Sequence, residues 1–91
     1  MIVIVVERVP AGLRGELTRW LLEPKTNVFV GDVTAMVRDR LWGRVCGGSR
    51  SGAAMLVHTA DNEQGFSVRA WGETSRELVE HEGLTLVRIP R

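Results

Sequence analysis

A single glutamate, Glu7, closes an unbroken apolar run from Ile2 to Val6. A carboxylate at the exit of a buried strand sits at the edge of a sheet, where sites often form. One such group holds Mg²⁺ only with help from a second carboxylate, a backbone oxygen or water. No other acid lies near it in the sequence, so one chain offers half of a site. A twofold dimer would supply a second Glu7. As a solvated strand-end charge paired with Arg8 or Arg14, the same residue would be structural. Residue types alone leave both readings open.

The second chemical signal is arginine. Eleven of the twelve basic residues are arginine, whose planar fork suits phosphate better than lysine does. Arg14, Arg19, Arg38, Arg40 and Arg44 sit where they can track a phosphate backbone. Glu16, Glu23 and Asp39 lie among them, so a merely solvated and self-neutralised helix face is the competing reading. His58 and His81 lack a partner at metal-ligand spacing and read as structural. Trp20, Trp42 and Trp71 read as core residues. No phosphate-binding glycine loop, dinucleotide fingerprint or Ser/His/Asp signature is present.

These side chains need a scaffold, and 91 residues allow one domain spanning 1–91. Net charge is +1, with the excess of basic residues confined to positions 1–60. The lone Cys46 forms no internal disulfide and fits a reducing, cytoplasmic setting. No apolar run approaches the roughly 18–20 residues of a membrane span, so no membrane partner is expected. The N-terminal MIVIVV has no basic residues before it and reads as a strand rather than a signal peptide.

Ile2–Val6 reads as a strand buried on both faces. Leu13, Leu17, Trp20 and Leu21 recur at helical spacing, predicting a helix that enters at Pro10 and stops before Pro24. Residues 27–30 predict a short strand broken by Gly31. Asp32 is the expected N-cap of a second helix, with Val33, Val37, Leu41 and Val45 as its apolar stripe. Gly47-Gly48 ends it and opens the loop GGSRSG, the one flexible stretch expected. Residues 53–60 and 66–71 predict a hairpin around a five-residue loop containing Gly65. Residues 72–83 read as a polar, acidic loop, and 84–89 as a last strand, apolar on both faces and stopped by Pro90. The order is an α+β, ferredoxin-like sandwich: an antiparallel sheet with two helices on one face. That fold needs a hairpin between the helices, and only residues 27–30 supply a clear strand there. Its partner must be very short or drawn from neighbouring residues.

The runs VVERVP, LRGELTRWLLE and NVFVGDVTAMVRDRLW, and more loosely Trp71-Gly72 and GLTLV, resemble the small subunit of the CRISPR spacer-acquisition machinery. That is the Cas-two family, in its type I-E branch. The resemblance implies a homodimer of ferredoxin-like subunits, with the strand at about 84–90 packing on the partner. It implies a bridge that binds short duplex DNA and joins two dimers of the integrase Cas-one for spacer insertion. It points to Arg14 and Arg76 as phosphate contacts. Gly12 stands where relatives often carry arginine, and Ser75 precedes Arg76 where relatives carry paired arginines, so the grip would be shared with Arg19, Arg38 and Arg40. Many relatives end the first strand on Asp and are metal-dependent nucleases. The alternative activity is therefore an endonuclease acting on RNA or DNA. Glu7, paired across the dimer, would be its catalytic and Mg²⁺-binding residue. The bridging role does not require Mg²⁺.

Overall fold

The computed structural model describes residues 1–47 and 52–72, and the backbone of 77–81 and 84–88. The expected loop GGSRSG falls largely, and Arg76 wholly, outside the described residues. The elements are β1 (Ile2–Val6), α1 (Ala11–Leu17), β2 (Leu22–Lys25), β3 (Val28–Gly31), α2 (Ala35–Gly47), β4 (Ala54–Thr59), β5 (Phe66–Trp71), β6 (Glu77–His81) and β7 (Leu84–Arg88). The first five strands form one antiparallel sheet, ordered β2-β3-β1-β4-β5. The apolar run at the start of the chain is therefore the central strand. This is the α+β, ferredoxin-like arrangement that the pattern predicts.

The pleat divides the side chains of β1 cleanly. Ile2, Ile4 and Val6 are buried and meet Phe29, Ala54 and Leu56 from the neighbouring strands. Leu17 of α1 and Leu41 and Val45 of α2 close the same cluster, with Leu21 from the turn after α1. Both helices thus cover one face. The contribution of each fully buried Leu, Ile or Phe is about 1.5–3 kcal/mol.

Between Leu17 and Lys25 the chain departs from the expected helix. The first helix ends at Leu17, not before Pro24. Gly12 and Gly15 in a seven-residue helix weaken its propensity by roughly 1 kcal/mol each. Thr18 turns its hydroxyl back onto the Arg14 carbonyl at 2.8 Å, a bond that competes with helix propagation. The chain then turns and lays Leu22 against Val30 and Lys25 against Val28. This is the missing strand of the hairpin. Pro24 lies inside it, at a register shift, which an edge strand tolerates. The reversal also buries Leu21 and leaves Trp20 49% exposed, so Trp20 is not core. Trp71, opposite Ala54 at the end of the edge strand β5, is likewise 49% exposed.

Two smaller expectations also change. Asp32 does not cap α2. The Thr34 hydroxyl accepts the Val37 amide at 3.2 Å, in the usual cap-to-N3 geometry, while Asp32 pairs with the Met1 amine at 3.0 Å. The stretch expected as a polar loop contains β6, which places His81 on a strand. β6 pairs with β7 in a separate two-stranded sheet, from Glu77 opposite Arg88 to His81 opposite Leu84.

The face of the five-stranded sheet away from the helices is also apolar. Val3 and Val5 of β1, Met55 and Val57 of β4, Val68 of β5 and Val30 of β3 share it by register. At its margins stand Leu22 and Phe66. Val5 is 42% exposed and Leu22 77% exposed.

Candidate nucleic-acid interface

Glu7 stands where β1 leaves the sheet. Its amide donates to the Ala53 carbonyl at 2.8 Å, and its carbonyl accepts from Asn27 Nδ2 at 3.1 Å. The backbone is held from both sides, and the side chain is left exposed. The carboxylate borders a shallow cavity of about 180 Å³ lined by Val5, Glu7, Ala53, Ala54 and Met55. Gly52 passes close by with φ +67°, and a Cβ there would lie 3.1 Å from both Glu7 Oε1 and Arg8 Nη2. That close approach, with its left-handed backbone, fits glycine best. Gly72, at φ +78°, crosses the same place, where a Cβ would meet the Ala53 Cα and the Gly52 carbonyl at 3.1 Å. The start of β4 and the end of β5 therefore converge beside Glu7.

The described donors around Glu7 do not by themselves fit a Mg²⁺ site. Among the described residues there is no group of three or more His, Cys, Asp or Glu side chains placed to hold a metal ion. The Arg8 guanidinium flanks the same glycine as the Glu7 carboxylate, and a guanidinium is a donor that cannot ligate a cation.

Arg14, the leading phosphate contact by resemblance, is engaged within the fold. Its Nη1 donates to Glu23 Oε2 and its Nη2 to Asn27 Oδ1 at 3.1 Å. The same Glu23 oxygen accepts the Asn27 amide at 2.9 Å. The Arg14 hydrogen bond, followed by that of Asn27, holds the Glu23 carboxyl below its ordinary value. Asn27 carries the one positive φ among the described non-glycine residues, 67°. Arg14 thus braces the β2–β3 turn against α1, and a phosphate would have to compete with Glu23 for it.

The remaining arginines divide by environment. Arg19, after α1, and Arg40, on α2, are exposed and make no ion pair among the described residues. Arg44 pairs with Glu16 at 3.1 Å and ties α2 to α1. Arg38 lies inward, its side chain 17% exposed. Its Nε donates to Asp39 Oδ1 at 3.0 Å, and its Nη1 lies 3.2 Å from His58 Nδ1. Arg69 of β5, which the sequence reading passed over, donates to the same Asp39 oxygen at 3.0 Å. Arg69 pairs across the sheet with the buried Leu56, so it rises on the helix-covered side, a placement that depends on strand register and that its own segment does not report. Hydrogen bonds from Arg38, then from Arg69, hold the Asp39 carboxyl below its ordinary value. Burial raises the Cys46 thiol, which keeps it protonated and unreactive at neutral pH.

An antiparallel α+β sandwich with arginines on its helix layer and an exposed carboxylate at the end of its central strand defines a small ferredoxin-like protein. The family model described as CRISPR-associated protein (Cas_Cas2CT1978) matches residues 1–86. The chain belongs to that CRISPR-associated family. No helix among the described residues is long and apolar enough to cross a membrane.

Proposed function

We propose that this chain works in CRISPR adaptation as a homodimeric bridge of the type I-E kind. It binds short duplex DNA and joins two dimers of the integrase Cas-one for spacer insertion, in the cytoplasm. The observation that carries the reading is the division between the two faces of the sheet. The helix-free face is apolar across four strands, with Val5 and Leu22 substantially exposed. A contiguous apolar face of this kind calls for a protein cover, and a second copy offers the same face in twofold symmetry. The helix layer, turned the other way, carries Arg19 and Arg40 in the open. Such charges grip a duplex through its phosphates, which position it without reading sequence. The strand β7 would then meet the partner subunit, and Arg76 would add to the grip.

Sedimentation at micromolar concentration, with a gel shift on a short duplex with and without the cognate integrase, tests this reading. A dimer that retards duplexes of unrelated sequence and co-migrates with the integrase is expected. A monomer, or a dimer that ignores both duplex and integrase, would overturn it.

The exposed Glu7 carboxylate favours one second reading, a metal-dependent endonuclease built from Glu7 of two copies. Mg²⁺-dependent cleavage of RNA or DNA that disappears in Glu7→Ala would establish it, and cleavage that survives the substitution would remove it.

A further inference from the structure

His58 Nδ1 sits between two groups with opposite demands. Arg38 Nη1 lies 3.2 Å away, and the Thr59 carbonyl oxygen lies 2.9 Å away. A guanidinium only donates and a carbonyl only accepts, while a ring nitrogen carries either a lone pair or a proton. With its lone pair, Nδ1 accepts from Arg38 and faces the carbonyl unfavourably. With a proton, it donates to Thr59 and loses Arg38. His58 is 9% exposed and the Arg38 side chain 17% exposed, so water gives little relief to whichever group goes unpaired.

The charged neighbours bias the outcome. From α2 come Arg38 and Asp39, and from β5 comes Arg69, which shares Asp39 Oδ1 with Arg38 at 3.0 Å each. Beside Thr59, the Met1 amine donates to the Thr59 hydroxyl at 2.8 Å and pairs with Asp32 at 3.0 Å. Two guanidiniums thus share one carboxylate next to the imidazole. A neutral imidazole can carry its proton on Nε2 and leave Nδ1 free for Arg38. An imidazolium carries protons on both nitrogens, so it cannot accept, and it adds a third positive charge at close range.

We propose that His58 is a proton-operated latch on Arg38: the bare Nδ1 holds the guanidinium against the sheet, and protonation turns Nδ1 to the Thr59 carbonyl and releases the guanidinium toward solvent with Asp39 as its remaining anchor. Proton uptake converts a half-hidden arginine into a surface cation. The use of that cation on a phosphate rests on the bridging function proposed above, but the latch itself does not.

Nitrogen-15 NMR of the intact protein tests the latch without nucleic acid. The pH is lowered from about 8 to about 5, the interval in which histidines take up protons. The ring nitrogens of His58 and the Arg38 Nη1–H signal, the group that faces Nδ1, are followed together. At the high end, Nδ1 is expected at the shift of an unprotonated nitrogen. The Arg38 signal is expected to move toward the free-arginine position with the same midpoint as the His58 ring. In His58→Gln, whose side-chain oxygen accepts at every pH, the Arg38 signal is expected to stay in place. An Nδ1 already protonated at the high end, an imidazole that stays neutral throughout, or an Arg38 signal unmoved while His58 titrates would each overturn the latch. The wild-type titration distinguishes these outcomes by itself, whatever the stability of the variant.

Discussion

Arg14 and Glu23 close a bracket around the β2–β3 turn: the guanidinium donates to the carboxylate, and the same carboxylate oxygen takes the Asn27 amide at 2.9 Å. Asn27 completes the bracket by accepting from Arg14 and donating to the Glu7 carbonyl. One turn residue therefore connects the end of the central strand, the first helix and the edge hairpin. Asn27→Ala removes both side-chain bonds and leaves a Cβ in a left-handed backbone. Its expected cost is about 1–3 kcal/mol, read from urea unfolding. Asn27→Gly loses the same bonds without the backbone strain and is expected to cost less.

Acid should weaken the fold through Glu23 and Asp39. Both carboxyls are held below their ordinary values, chiefly by Arg14 and by Arg38. A depressed carboxyl contributes stability that is fully present above its unfolded value and lost as pH falls through its folded one. Stability is expected to be flat near neutrality and to fall below about pH 4. In Glu23→Gln with Asp39→Asn the fall should be shallower, as measured by melting temperature against pH.

The second β-strand shows what the sequence conceals. Pattern alone delivers the central strand, the second helix and the β4–β5 hairpin, but not their burial: β1, expected to be buried on both faces, buries only Ile2, Ile4 and Val6 and leaves Val5 42% exposed. It misleads over 18–25, where Leu17, Trp20 and Leu21 have helical spacing but only the two leucines are buried. Long-range pairing of Leu22 with Val30 outweighs local periodicity there, and no local signal reports it. The site was legible to the same degree. Glu7 and the arginines are visible as residue types. That Arg14 is engaged, Arg19 and Arg40 are open, and Arg69 meets Asp39 depends on how separate elements pack together.

Duplex affinity should depend first on the open cations. Arg19→Ala and Arg40→Ala are each expected to lower the slope of log K against log salt by roughly one unit for every phosphate left without its arginine, without sequence preference. Since a dimer presents each arginine twice, one substitution removes two. Arg14→Ala is expected to lower stability along with any weakening of binding, which distinguishes it from the other two. An unchanged salt slope in Arg19→Ala/Arg40→Ala would show that the duplex lies elsewhere.

Placing a charge on the helix-free face should prevent association while sparing the fold. Val5→Glu adds a carboxylate to a position already 42% exposed, so the monomer has little to lose. Sedimentation is expected to show monomers at a concentration where the wild type is dimeric, with an unchanged circular dichroism spectrum. The contrasting change, Phe29→Ala in the fully buried cluster, is expected to cost about 3–5 kcal/mol.

Glu7→Ala separates bridging from cleavage. Its backbone bonds to Ala53 and Asn27 do not involve the side chain, so folding should be unaffected. Dimerisation and duplex binding are expected to persist with and without Mg²⁺, and metal-free binding to tighten as a phosphate-repelling charge is removed. A variant that dimerises but no longer assembles with duplex and integrase would make the carboxylate essential to the bridge.

The placement of β1 at the centre of the sheet has a consequence for biosynthesis. Its β3 neighbour follows early in the chain, but β4 arrives late: Thr59 reaches back to Met1 across 58 residues. At a ribosomal rate of roughly 5–20 residues per second, the IVIVV strand spends several seconds with one edge bare. A newly made chain is therefore most prone to mispairing before β4 emerges, and substitutions that slow synthesis or delay β4 should lower soluble yield while leaving the finished protein unchanged.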